Sequence, residues 1–133
     1  MFYDKNPRTL TTTNALSYRM KKVLIIDDEI DFCLLLKAYL TKLRYEVFYS
    51  NSLNDGVEQA KKIKPSIIFL DNNLPDGLGW EMAMHFLKEY PDAQLNLISA
   101  YHPELPNVKV TPALKIWEKP ISLTELENYL KDK

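Results

Sequence analysis

The sequence predicts an α/β domain built on a parallel, doubly wound sheet. Two observations carry this. Short apolar runs rich in β-branched residues, VLII at 23–26 and IIFL at 67–70, have the composition of strands buried on both faces. Segments of helical spacing alternate with these and three further strand candidates, which implies right-handed crossovers and helices on both faces of the sheet.

Residues 1–20 are polar and threonine-rich, interrupted by Pro7, with no apolar period. They read as a flexible N-terminal extension, and 21–133 as one domain. The first strand, 23–26, runs straight into Asp27, Asp28 and Glu29. Phe32, Leu35, Leu36, Tyr39, Leu40 and Leu43 then fall at the spacing of one helix face. A second strand covers 45–49. Ser52, with Asp55 three residues on, signals the next helix start, and Leu53, Val57 and Ala60 mark its face up to Pro65. The third strand ends in Asp71. The stretch 72–77, NNLPDG, is dense in turn formers and reads as a loop. Ala83, Phe86, Leu87 and Tyr90 line a third helix that stops before Pro91. The fourth strand, 95–98, ends at Ser99, and the fifth, 114–117, leads into Glu118, Lys119 and Pro120. Ser122 and Glu125 form a capping-box pattern, with Leu123, Leu126 and Leu130 on the last helix. Between Ser99 and the fifth strand, Pro103, Pro106 and Pro112 interrupt any long helix. A fourth helix there is expected to be short, irregular or absent.

Composition limits the function classes. The 133 residues suffice for one domain with a core of its own. Apolar residues make up 46% and charged residues 26%, which is ordinary for a globular chain. Lys plus Arg is 17 against 18 for Asp plus Glu, a net charge of −1 that lacks the footprint of a nucleic-acid binder. No apolar run reaches the roughly 20 residues of a membrane span, and the N-terminus lacks the pattern of a secretory signal. A cytoplasmic location is expected, without direct nucleic-acid binding or membrane insertion. The single cysteine, Cys33, excludes an internal disulfide.

The polar residues that stand out lie at C-terminal strand ends: Asp27 and Asp28, Asp71, Ser99 and Lys119. In an open parallel sheet these ends gather along one edge, where ligands bind. Clustered carboxylates repel each other. A divalent cation held by oxygen ligands relieves this, and Mg²⁺ suits such a site and shares phosphate oxygens. A lysine beside the acids can pair with them, then with a phosphoryl group. A serine hydroxyl can donate to the same group, and a carboxylate so held can act as a nucleophile toward phosphorus.

These marks together resemble the response-regulator receiver domain of two-component signalling. They are the acidic pair in VLIIDDEID, the aspartate closing IIFLD before NNLPDGLGWE, the Ser-Ala pair in LISA and the Lys-Pro in WEKP. The resemblance spans about 21–133. It implies a flavodoxin-like, five-stranded parallel sheet of order 2-1-3-4-5. It implies Asp71 as phosphoacceptor, with Asp27, Asp28, Asp71 and the backbone carbonyl of Asn73 holding Mg²⁺. Ser99 would bond the phosphoryl group, Lys119 would pair with it, and the Lys119–Pro120 peptide would be cis. The phosphoryl donor would be a sensor histidine kinase or a phosphotransfer protein, and a partner protein would receive the signal. With few residues after the last helix, docking on a partner or a relay is expected rather than an attached effector domain. The chain would catalyse its own phosphorylation and dephosphorylation without being an enzyme for an outside substrate.

The sequence also departs from the family. The position three before the lysine, usually aromatic, is Ile116. Trp117 is adjacent but in a strand points to the opposite face. These departures favour an alternative, a degenerate receiver that binds a partner without phosphorylation. A Mg²⁺-dependent phosphatase is disfavoured, because Asp71 is followed by Asn72 and Asn73 rather than by a second aspartate two positions on. A flavodoxin-like electron carrier is disfavoured by the lack of a Ser/Thr/Gly-rich loop after the first strand. Cys33, His85, His102 and Trp80 read as packing or surface residues.

Overall fold

A computed structural model of the chain describes residues 20–100 and 112–131. The extension up to residue 19, His102 and nearly all of the proline-interrupted stretch, with its expected short fourth helix, lie outside the described residues.

The elements run β1 (Lys22–Ile26), α1 (Ile30–Lys42), β2 (Glu46–Ser50), α2 (Leu53–Ile63), β3 (Ile67–Asp71), β4 (Asn73–Leu74), β5 (Gly77–Leu78), a 3₁₀ turn (Gly79–Met82), α3 (Ala83–Glu89), β6 (Gln94–Ser99), β7 (Leu114–Glu118) and α4 (Leu123–Leu130). Five strands form one parallel sheet of order β2-β1-β3-β6-β7. This is the expected 2-1-3-4-5 order once the small β4–β5 hairpin is set aside. That hairpin, antiparallel with Asn73 opposite Leu78, occupies what reads from sequence as a plain loop. Two-residue strands leave no periodicity to detect.

The alternation of the strands sorts the core into two layers. Val23, Ile25, Ile67, Phe69, Ile98 and Trp117 face α1 and α4. Leu24, Ile26, Ile68, Leu70, Leu95 and Leu97 face α2 and α3. Their full burial makes β1 and β3 rigid supports for whatever stands at their ends. On α1 the buried stripe is Cys33, Leu36 and Leu40. Leu35, expected on the apolar face, is exposed, because the helix turns its Cys33 side to the sheet. Ser52 caps α2, its Oγ accepting from the Asp55 amide at 3.2 Å. Lys64 ends it in the left-handed region at φ 51° before Pro65. Gly56 lets α2 lie against β1, since a Cβ there would meet Ile26 Cδ1 at 2.6 Å. Ser122 caps α4 by accepting from the Glu125 amide at 3.2 Å.

Candidate functional site

Because β1, β3 and β6 are adjacent and parallel, their C-terminal ends meet at one edge. Asp71 lies opposite Ile98, and Ser99 opposite Glu118. The Lys119 amide donates to the Ser99 carbonyl at 2.8 Å, which seats the lysine beside β6. The Lys119–Pro120 peptide is cis, as the resemblance implies. Asp27, Asp28 and Asp71 each offer one carboxylate oxygen, all within 4.8 Å of one another. Asp27 and Asp71 are buried, while Asp28 is exposed. Lys119 Nζ stands 2.7 Å from Asp27 Oδ2 and 4.0 Å from Asp71 Oδ1. It also pairs with the Glu29 carboxylate and sits 4.5 Å from the centre of the Phe32 ring. Four of the expected site residues, Asp27, Asp28, Asp71 and Lys119, therefore converge. Ser99 is buried beside them. Asn73 is exposed at the start of β4, and its ligand role is carried by the resemblance alone.

The electrostatics follow from burial. Asp71 is pushed up to about 7, first by burial and then by the Asp27 carboxylate, against the pull of Lys119. Burial also raises Asp27, opposed by Lys119 and by the Glu29 amide, which donates to Asp27 Oδ1 at 2.8 Å. Burial alone would lower the Lys119 ammonium. Its hydrogen bonds to Asp27 and Glu29 and the charges of Asp27 and Asp71 leave it raised instead. Two buried carboxylates thus share one close cation, which stands nearer to Asp27 than to Asp71. That is an oxygen-only donor set with charge to spare, and it fits a small hard divalent cation.

The backbone around the acids is pinned by residues that the sequence reading did not single out for this role. Asn51 Nδ2 donates to the Asp27 carbonyl at 2.8 Å, and the Cys33 thiol donates to the same oxygen at 3.4 Å. Burial, then the Asp27 charge, pushes that thiol up to about 12, so Cys33 is a packed, unreactive residue. After Asp71, Asn72 accepts from the Gly79 amide through its carbonyl and from the Trp80 amide through Oδ1. Trp80 Nε1 donates to the Leu70 carbonyl at 3.1 Å, so Trp80 is a fixed part of the support rather than simple helix packing. Gly79 has no alternative, because a Cβ there would lie 2.0 Å from the Asp71 carbonyl oxygen. Asp76 reaches back from the hairpin to accept from the Leu53 and Asn54 amides at 2.7 and 2.8 Å. Glu29 is visible in sequence only as one more acid at a helix start. An asparagine after a strand and an aspartate in a turn carry no signal that distinguishes these contacts.

Residues 23–131 match the family model of the response regulator receiver domain. The chain belongs to this family. The receiver domain is 33% identical to the chemotaxis protein CheY of Thermotoga maritima over 60% of this chain and 68% of that protein. It is also 33% identical to the uncharacterized transcriptional regulatory protein YvcP of Bacillus subtilis, over 67% of this chain but only 37% of that longer protein. Its fold matches a CheY-like receiver domain from Methanospirillum hungatei with a TM-score of 0.73 at 20% identity, covering 86% of this chain and 93% of that one. The Thermotoga maritima response regulator TrrA, solved in complex with Mg²⁺-BeF, matches with a TM-score of 0.72 at 26% identity, over 85% and 98% of the two chains. The flavodoxin-like receiver fold expected from sequence is therefore the fold of this chain. Among the described residues no helix is long and apolar enough to cross a membrane.

Proposed function

We propose that this receiver domain accepts a phosphoryl group on Asp71 from a phosphohistidine of a sensor kinase or phosphotransfer protein, with Mg²⁺ bound, and changes conformation to regulate a partner protein. The observation that carries this reading is the meeting of three aspartates within 4.8 Å with Lys119 set among them. An oxygen of the ionised Asp71 carboxylate would form the O–P bond as the donor's N–P bond breaks and its electron pair returns to the imidazole. Asp27, Asp28, Asp71 and the Asn73 carbonyl would hold the cation, which when bound offsets carboxylate repulsion and draws charge from the phosphoryl oxygens. Lys119 would neutralise a phosphoryl oxygen directly, and the Ser99 hydroxyl would donate to another. The domain would act on itself rather than on an outside substrate, in the cytoplasm.

A donor protein must cover this edge of the sheet. Beside it lies a cavity of about 460 Å³ lined by Phe32, Leu35, Leu36, Pro120, Ile121 and Leu123 among others. The exposure of Leu35 there suits an apolar contact with such a donor.

The test is the mass of the intact chain after incubation with Mg²⁺ and acetyl phosphate, quenched in acid. A gain of one phosphoryl group in the parent and none in Asp71→Asn is expected. No gain, together with no binding of beryllofluoride, overturns the reading. The second reading, phosphorylation-independent partner binding, is favoured by Ile116, which is aliphatic and partly exposed where the family carries its aromatic switch residue. Equal partner affinity with and without phosphate would select it.

A further inference from the structure

We infer that Glu29 is a positioning residue that competes with the incoming phosphoryl group for Lys119. This rests on the phosphoacceptor reading above. Glu29 occupies the N-cap of α1, where Ser, Thr, Asp or Asn would serve the helix best, yet its side chain makes no cap hydrogen bond. Its carboxylate goes to Lys119 Nζ instead. The two lysine partners differ in what they can give up. Asp27 is fully buried, and Lys119 is its close cation. The Glu29 side chain is 61% exposed, so water replaces the lysine there at little cost. Lys119 Nζ is still 4.0 Å from Asp71 Oδ1, with the Phe32 ring on another side. A phosphoryl group on Asp71 brings anionic oxygens within reach of this ammonium, and of its two close carboxylate contacts the one with Glu29 is the one it releases. Glu29 thus holds the lysine back in the unphosphorylated chain and sets how readily it is handed over.

An exposed ion pair of this kind changes an equilibrium by about two- to fivefold. The experiment titrates the full chain with beryllofluoride at saturating Mg²⁺, comparing the parent, Glu29→Gln and Glu29→Asp. Glutamine removes the charge. Aspartate keeps the charge but draws the carboxylate back by one methylene. Both variants are expected to bind beryllofluoride about two- to fivefold more tightly than the parent. The Lys119 side-chain nitrogen resonance of the metal-free, beryllofluoride-free chain is expected to shift in both. Tighter binding in Glu29→Gln with parent-like binding in Glu29→Asp would show a general charge effect and overturn the contact. Unchanged or weaker binding in both, or an unmoved Lys119 resonance, would overturn it as well. A parent chain that binds no beryllofluoride and gains no phosphoryl group would instead remove the phosphoacceptor reading, and this inference with it.

Discussion

Among the described residues of the receiver domain, the acid edge and a polar cluster beside β6 and β7 are built on opposite plans. At the acid edge, Asp27 and Asp71 are buried around one lysine, whose Nζ is 2.7 Å from Asp27 Oδ2 but 4.0 Å from Asp71 Oδ1. Where β6, β7 and α4 meet, the polar groups satisfy each other. Trp117 Nε1 donates to Asn96 Oδ1 at 2.9 Å, and Asn96 Nδ2 donates to the Ile68 carbonyl at 3.3 Å. The Tyr129 hydroxyl donates to Gln94 Oε1 at 2.9 Å, and Lys115 lies over both the Trp117 and Tyr129 rings. Burial is similar in the two places; satisfaction is not. A buried polar group with its partners in place fixes structure, whereas one left short of partners is held ready for a ligand.

Mutations should separate the two plans. The largest effect is expected from Lys119→Ala, which strips the buried Asp27 of its cation. It should destabilise the metal-free fold by about 3 kcal/mol and abolish the conformational response to beryllofluoride. Mg²⁺ should restore most of the stability, and calorimetry with and without the metal checks this. Trp117→Phe comes next. It orphans the Asn96 oxygen and should lose about 2 kcal/mol, with no rescue by Mg²⁺. Rescue there would mean that the clusters are coupled.

Asp71→Asn should act in the opposite direction. The folded chain holds the Asp71 proton up to about pH 7, well above the ordinary carboxylate value. The stability from that proton is fully present below the unfolded pKa near 4 and is lost as pH rises through 7. Without metal at pH 8 the variant should be more stable than the parent by roughly 2–4 kcal/mol, and the gap should narrow as pH falls and close near pH 4. Melting curves across that range would show it, and a constant gap would sink the burial argument. Tyr129→Phe, which loses one half-buried hydrogen bond, should lose only about 0.5–1 kcal/mol.

The acid edge was legible in sequence because each of its residues closes a strand, and the parallel order then brings separated positions together. The cluster at β6 and β7 was not. Asn96 interrupts an otherwise apolar run, and nothing in one sequence says that Trp117 supplies its partner. Leu35 was misplaced because helical spacing gives a stripe but not the angle at which the sheet meets it. The hairpin was missed because two strand residues on each side carry no period. The contact between Glu29 and Lys119 joins residues 90 apart in sequence and follows only from where β7 delivers the lysine.

That delivery has a consequence for motion. Asp27 and Asp71 stand at the ends of strands enclosed on both sides by neighbours, but Lys119 follows an outer strand, which among the described residues pairs with β6 alone. Amide hydrogens of an outer strand exchange through partial openings smaller than global unfolding. Each such opening of β7 would carry the lysine away while leaving the carboxylates in place. The lifetime of any charge state that depends on the lysine is therefore bounded by fraying of the sheet's rim, and exchange rates along β7 would read that bound directly.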